Sequence, residues 1–295
     1  MFKTIMVHFA GTKADETVFL EAVGLARACG AHLECTHVRP GLGQLVNIAA
    51  GNAVGLGVEP NIGELLEALK DGAAERAAAA RGTFAILSKA QSIRLAEKPD
   101  GGGLSANFVE KTGNEIEILI EGSRGHDAVI VAGGGSKGGL RAGDSARLLV
   151  ESGRPLILTP SAKSTAAGGN ALGVAAIAWK PTPESSRAIA AAIPLLTKAK
   201  KVIILTASEG SYDADRDEAR TLSSYLAWHG INAETKKVLA AGRSSSEAVL
   251  DAVRDARADM LVMGAYGRGR LSEIVFGGFT QAVLEQTELP VFLLH

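Results

Sequence analysis

The chain says nearly the same thing twice. DAVIVAGGG at 127–135 runs on to RPLILTP, and DMLVMGAYG at 259–267 runs on to LPVFLLH, with Pro155 and Pro290 each opening a last apolar run. The beginnings correspond as well: TIMVHF leads through a short polar turn into DETVFLEAVGLARA, and LGVAAIAW leads through KPTP into ESSRAIAAAIPLL, each a strand feeding a helix. Between the copies, SAKSTAAGGNA (161–171) is rich in Ser, Gly and Ala and has no periodicity, as expected of a linker. A duplicated unit must close its own core, and 295 residues divide into two lengths ample for that. The expected division is a first domain over 1–160, a linker over 161–171 and a second domain over 172–295.

In the second copy the pattern predicts strands over 172–179, 201–207, 232–239, 259–264 and 290–294, and helices over 183–198, 213–229, 244–257 and near 277–287. VIIL and MLVM are apolar on both faces, which marks parallel strands with helices packed on either side. The expected fold is therefore α/β: two doubly wound, five-stranded parallel sheets in tandem, Rossmann-like, with right-handed crossovers. The first copy predicts strands over 3–9, 32–38, 92–97, 127–132 and 155–159, with two additions, GLGQLVNIAAGNAVGLGVEPNI (41–62) and PDGGGLSANF (99–108). The first addition reads as a surface loop packed on the neighbouring domain, or as a flap over a ligand. GAAERAAAARGTFAILSKA (72–90) is a strong helix former suited to covering a sheet. ESSR (184–187) and RSSSE (243–247) read as helix starts, with Ser capping and Glu in the first turn.

Charge excludes some partners. With 31 basic and 32 acidic residues the formal net charge is -1, which leaves no broad footprint for nucleic acid or an anionic membrane. Cys29 and Cys35 alone build neither a disulfide framework nor a four-thiolate zinc site, so a reducing compartment is expected. No run approaches the roughly 18 apolar residues of a membrane span, and the start of the chain does not read as a secretion signal, so the expected location is cytoplasmic. Strand alternation puts Cys35 and His37 on one face and His32 on the other, against a metal site. His8 closes the first strand and reads as a packing or hydrogen-bonding residue. Ser136 and Ser145 lack the G-x-S-x-G setting of a hydrolase nucleophile.

Chemistry gathers after the fourth strand of the second copy. That loop reads Gly264-Ala-Tyr-Gly267, then RGRLSEIVF, then Gly277-Gly278-Phe279-Thr280 at the start of a helix. In open α/β sheets ligands sit beyond the carboxyl ends of the strands where strand order reverses, and this loop arrives there. Glycines let the backbone approach phosphate oxygens, the helix start offers unpaired N–H groups, and Arg268 and Arg270 can bring positive charge.

This G-x2-G-x9-G pattern resembles that of the universal stress protein family, and nearly the whole chain resembles two such domains fused, within the adenine nucleotide alpha hydrolase-like group. The resemblance implies ATP or another adenine nucleotide, with or without Mg2+, in the second domain. Met263, Gly264, Tyr266, Gly267, Arg268, Gly277, Gly278, Phe279 and Thr280 would surround the phosphates, and Ala178, Trp179 and Lys180 would lie by ribose and adenine. It also implies pairing of the last strands, ILT and VFLL, as an intramolecular pseudo-dimer or in a homodimer.

Two departures stand out in the second copy. Trp179-Lys180 occupies the place where nucleotide-binding members carry an aspartate, and Gly278 replaces the hydroxyl residue of the motif. Trp179 could stack on adenine, block the pocket or simply pack. The first copy departs further: after Ala132-Gly-Gly-Gly135 come only six residues, SKGGLR, before Ala142-Gly143-Asp144-Ser145. Its loop is three residues shorter and carries Asp144, so it is not expected to bind nucleotide in that manner. The expected function is a non-catalytic stress-response protein whose nucleotide governs contact with protein partners. The alternative is a nucleotide-free scaffold. An adenylating enzyme would show an SGGxDS-like loop after the first strand, and a dehydrogenase would place its glycines there.

Overall fold

The computed structural model describes residues 1–56, 62–98, 101–133, 138–160, 172–208, 212–240, 242–265, 278–286 and 288–295. The first half runs β1 (Thr4–Phe9), α1 (Ala14–Cys29), β2 (His32–Arg39), α2 (Leu42–Leu56), α3 (Ile62–Ala90), β3 (Arg94–Leu95), β4 (Ser105–Thr112), α4 (Glu115–Ser123), β5 (Ala128–Ala132), α5 (Ala142–Ser152) and β6 (Leu156–Thr159). The second runs β7 (Val174–Trp179), α6 (Pro183–Leu196), β8 (Lys201–Ser208), α7 (Tyr212–Trp228), β9 (Ala233–Leu239), α8 (Ser245–Asp255), β10 (Met260–Gly264), α9 (Gly278–Gln286) and β11 (Val291–Leu294). The expected linker, 161–171, lies outside the described residues.

The strands lie in the order β3-β4-β2-β1-β5-β6-β11-β10-β7-β8-β9. Within each half every pairing is parallel, and the fourth main strand (β5 or β10) lies against the first (β1 or β7) on the side away from the second. Strand order therefore reverses at β1/β5 and again at β7/β10. β6 and β11 meet antiparallel, with Leu158 opposite Val291 and Leu156 opposite Leu293, so each last strand covers the other's edge. Phe2 of the first half stacks on Phe292 of the second with ring centroids 6.4 Å apart. A buried apolar cluster lies on each side of the sheet, and both run through the two halves.

Repeated local devices explain the repeated elements. The aspartate that opens each fourth-strand motif latches the start of the first strand: Asp127 Oδ2 accepts from Lys3 N at 2.6 Å and Thr4 N at 3.1 Å, and Asp259 Oδ2 accepts from Val174 N at 2.7 Å. α8 begins with a capping box of Ser244 and Glu247. α6 begins differently from the expected serine cap: Thr182 accepts from Ser185 N, with Pro183 in the first turn where its missing N–H costs nothing.

Two expectations for the first half need correction. The strand beside β2 is β4, at 105–112, and of the expected strand 92–97 only Arg94–Leu95 forms, as an outer edge on β4. Alternation explains the choice, because Ala106 and Phe108 bring apolar groups to the core whereas Arg94 and Leu95 are exposed. The expected 41–62 loop is helical over Leu42–Leu56 and packs on α3 of its own half, burying Leu45 and Ala49. α3 itself extends well upstream of the expected 72–90 helix. His32 bonds Ser105 and Asn107, while His37 Nδ1 donates to Phe9 O at 2.7 Å.

Candidate functional site

The strand reversal in the second half brings four of the sequence-marked residues together. Met263 lies opposite Ala178 in the β7–β10 ladder, Gly264 ends β10 and Trp179 ends β7. Because side chains alternate, Ala178 packs toward the cluster shared with α8, while Trp179 packs toward the one shared with α6 and α7. Gly264 is pressed against the first turn of α6: a Cβ there would stand 2.6 Å from the Glu184 carbonyl carbon. The start of the glycine-bearing loop is thereby fixed against a helix N-terminus.

Two polar atoms at this crevice are enclosed without a hydrogen-bond partner, the indole Nε1 of Trp179 and Oε2 of Glu184. Each such group costs about 1–3 kcal/mol if left unpaired. The other Glu184 oxygen, Oε1, accepts from Arg187 Nη2 at 3.3 Å. Burial works to raise the Glu184 carboxyl, yet its own backbone N–H, the Thr182 hydroxyl, Arg187 and His295 together hold it below the usual carboxylate range. Arg187 Nε donates to His295 O at 3.0 Å, and His295 Nδ1 lies 3.3 Å from Ala265 O. Glu184 is therefore an ionised carboxylate with one oxygen committed and one idle.

Lys180 is exposed, and Thr206 lies opposite Trp179 on β8. At α9, Gly278 faces open space, Phe279 packs on the α8-side cluster and Thr280 is buried. Tyr266, Gly267, Arg268, Arg270 and Gly277 lie outside the described residues. The structure adds Thr182, Glu184 and His295 to the site. The sequence reads as starting this helix at 184–187 with a serine cap, and nothing in it marks Thr182 as the cap or which carboxylate oxygen ends up unpaired.

The corresponding place in the first half is filled from within. Asp15, which is 1% exposed, accepts from Ala10 N and Gly11 N, both at 2.9 Å, consuming the amides that follow β1. Burial outweighs these bonds and lifts the Asp15 carboxyl above its usual value. Gly11 adopts φ +76° with its Cα hydrogen facing the Arg76 backbone, and Gly138, at φ +102°, lies against the Thr12 side chain. His8 is buried and its Nε2 lies 3.0 Å from Glu115 Oε1. The hydroxyls of Ser145 and Thr159 remain enclosed and unpartnered. Gly135 and Ser136 lie outside the described residues. Among the described residues no group of three or more His, Cys, Asp or Glu could hold a metal ion, and no helix is long and apolar enough to cross a membrane.

Residues 177–295 match the family model of the universal stress protein family. The full chain is similar in fold to a universal stress protein from Archaeoglobus fulgidus DSM 4304, at 15% identity and TM-score 0.67, covering 99% of this chain and 95% of that one. It is also similar to a functionally unknown protein from Pseudomonas aeruginosa PAO1, at 14% identity and TM-score 0.57, covering 99% and 92%. Comparison with curated proteins finds no match.

Proposed function

We propose that this protein, whose residues 177–295 match the universal stress protein family model and whose full chain is similar in fold to a universal stress protein, binds an adenine nucleotide such as ATP in its C-terminal half. On this reading 1–160 and 172–295 are separate domains of one pseudo-dimer, and nucleotide binding shifts a surface read by a protein partner in a stress response. The observation that carries the proposal is the enclosed, unpaired indole N–H of Trp179 at the β7/β10 reversal. On this reading the indole donor is completed by a ligand acceptor such as a ring nitrogen of adenine or a phosphate oxygen. Trp179 would meet the ligand from the end of β7, and the Gly264–Thr280 loop would take the phosphates. Binding rather than turnover is the proposed activity. Mg2+, if taken up, would balance the phosphate charge.

Nucleotide released from gently purified protein and identified by mass spectrometry tests the reading, together with thermal shifts in millimolar ATP. ATP is expected to be retained and to raise the unfolding temperature in the parent, and both effects should vanish in folded Gly267→Val and Gly277→Val variants. An empty parent without a thermal shift overturns the proposal in favour of the nucleotide-free scaffold, whose support is the β6–β11 seam.

A further inference from the structure

We infer that the outer edge of β9 is an interface between two copies of this chain, whose sheets join antiparallel about a two-fold axis at Thr235. The last strands cannot serve, because β6 and β11 already cover each other within one chain. That leaves the two ends of the sheet, β3 and β9. β3 is two residues long and lies on β4, and so short an edge offers little to pair with. β9 runs for seven residues, is paired to β8 on one side and, among the described residues, has no strand on the other. Glu234, Thr235, Lys236 and Leu239 are exposed along it. An open edge of this length presents backbone N–H and C=O groups that a further strand can take up.

Charge selects both the occupant and the register. A two-fold pair presents the same strand from both copies, and an axis normal to the sheet keeps each face on its own side. A residue then stands opposite only a residue of the same face, so every second register is closed. With Thr235 on the axis, Glu234 of each copy faces Lys236 of the other. Moving the axis one residue either way sets Glu234 against Glu234 or Lys236 against Lys236, and like charges directly opposite are destabilising. By alternation both residues share the α8 side with the buried Val238. There Glu234 pairs with Lys201 at 2.8 Å and Lys236 lies 3.7 Å from Asp255. The pairing extends these contacts into a row of alternating sign, Lys201, Glu234, Lys236, Asp255, that crosses from one copy to the other. The opposite face agrees. Leu239 is 64% exposed and shares the α7 side with Ala233, and this register sets it opposite Ile231, an apolar residue just ahead of the other copy's β9. Lysines on an edge ordinarily discourage pairing. Alternating with Glu234, they leave one register attractive and its neighbours repulsive. A wholly acidic strand would meet Glu234 and a wholly basic one Lys236, whereas β9 itself carries the matching mixture.

Charge reversal tests the register. Sedimentation equilibrium of the full chain at low salt compares the parent, Glu234→Lys, Lys236→Glu, the double variant carrying both changes, and an equal mixture of the two single variants. The parent is expected to reach twice the chain mass. Each single variant sets like charges opposite each other at both symmetric places and should dimerise about 10- to 100-fold more weakly. The double variant should regain parental strength, and the mixture should form a mixed pair in which every opposition is again Lys to Glu. Both partners of that mixed pair are the molecules that fail alone, so a folding defect cannot imitate it. A parent that stays monomeric at millimolar concentration overturns the inference. So does a dimer whose strength the single variants leave unchanged, or a mixture that forms no mixed pair.

Discussion

The two halves share one strand order and treat the end of their first strand in opposite ways. After β1, Asp15 folds back onto the Ala10 and Gly11 amides, His8 pairs with Glu115, and Gly138 closes against Thr12. After β7 no carboxylate plays the part of Asp15, since Ser185 stands in its place, and the crevice keeps an unpaired donor on Trp179 and an unpaired acceptor on Glu184. The difference lies at the end of the first strand itself, since away from it the first half also encloses two unpartnered hydroxyls, those of Ser145 and Thr159. A buried polar group with an internal partner gains nothing further from a ligand. One without a partner carries a standing cost of about 1–3 kcal/mol that binding can remove.

The largest test strikes the seam where the halves meet. Phe292 is fully buried and stacks on Phe2, so Phe292→Ala should cost about 3–5 kcal/mol, read by urea denaturation. If the halves act as one body, a single transition moves down as a whole. Two separated transitions would show instead that each half unfolds alone.

A second test uses a charge that crosses from one half toward the other. Burial, with Asp259 adding like-charge repulsion, pushes Glu21 of α1 from 4.5 to about 7, and its Oε1 has no partner. The folded state thus keeps a proton that the unfolded state has already lost between those pH values. Stability should therefore fall as pH rises from about 4.5 to about 7, with the penalty complete above that. Glu21→Gln should remove it, gaining about 3 kcal/mol at pH 8 and almost nothing at pH 4. Equal stability profiles for parent and variant would rule out this contribution.

The smallest test sets one residue from each half against the other. Asp15→Ala strands the two half-buried amides of Ala10 and Gly11 and should cost about 1–3 kcal/mol of stability while leaving ATP affinity unchanged. Trp179→Phe removes a donor that has no protein partner, so stability should change little while ATP affinity falls several-fold. If Trp179→Phe destabilises the fold and spares affinity, the indole is packing alone and the contrast between the strand ends fails.

Much of this was legible in the sequence for an identifiable reason. Alternating apolar runs placed β7 to β11 close to their observed bounds, because parallel strands covered on both faces leave a strong local signal. The loop after the fourth strand of the second copy was also placed correctly at a strand reversal. The third strand of the first half was misplaced, since 92–97 and 105–112 both offer short apolar stretches and only pairing with β2 decides between them. The 41–62 addition was taken for a loop because its glycines mask a helix whose buried contacts, Leu45 and Ala49 one turn apart, make only a short apolar stripe.

The site divides along the same line. Trp179, Gly264 and the glycine motif are local facts of spacing, and the sequence determined them together with the α/β fold and its duplication. Whether a polar atom is paired was decided only by the tertiary structure, because partners come from remote positions. His8 reaches Glu115 across 107 residues, and Arg187 reaches His295 across 108. Periodicity fixes which way a side chain faces; hydrogen-bond satisfaction depends on what the folded chain brings opposite it, and that sum is closed only when the two halves are assembled.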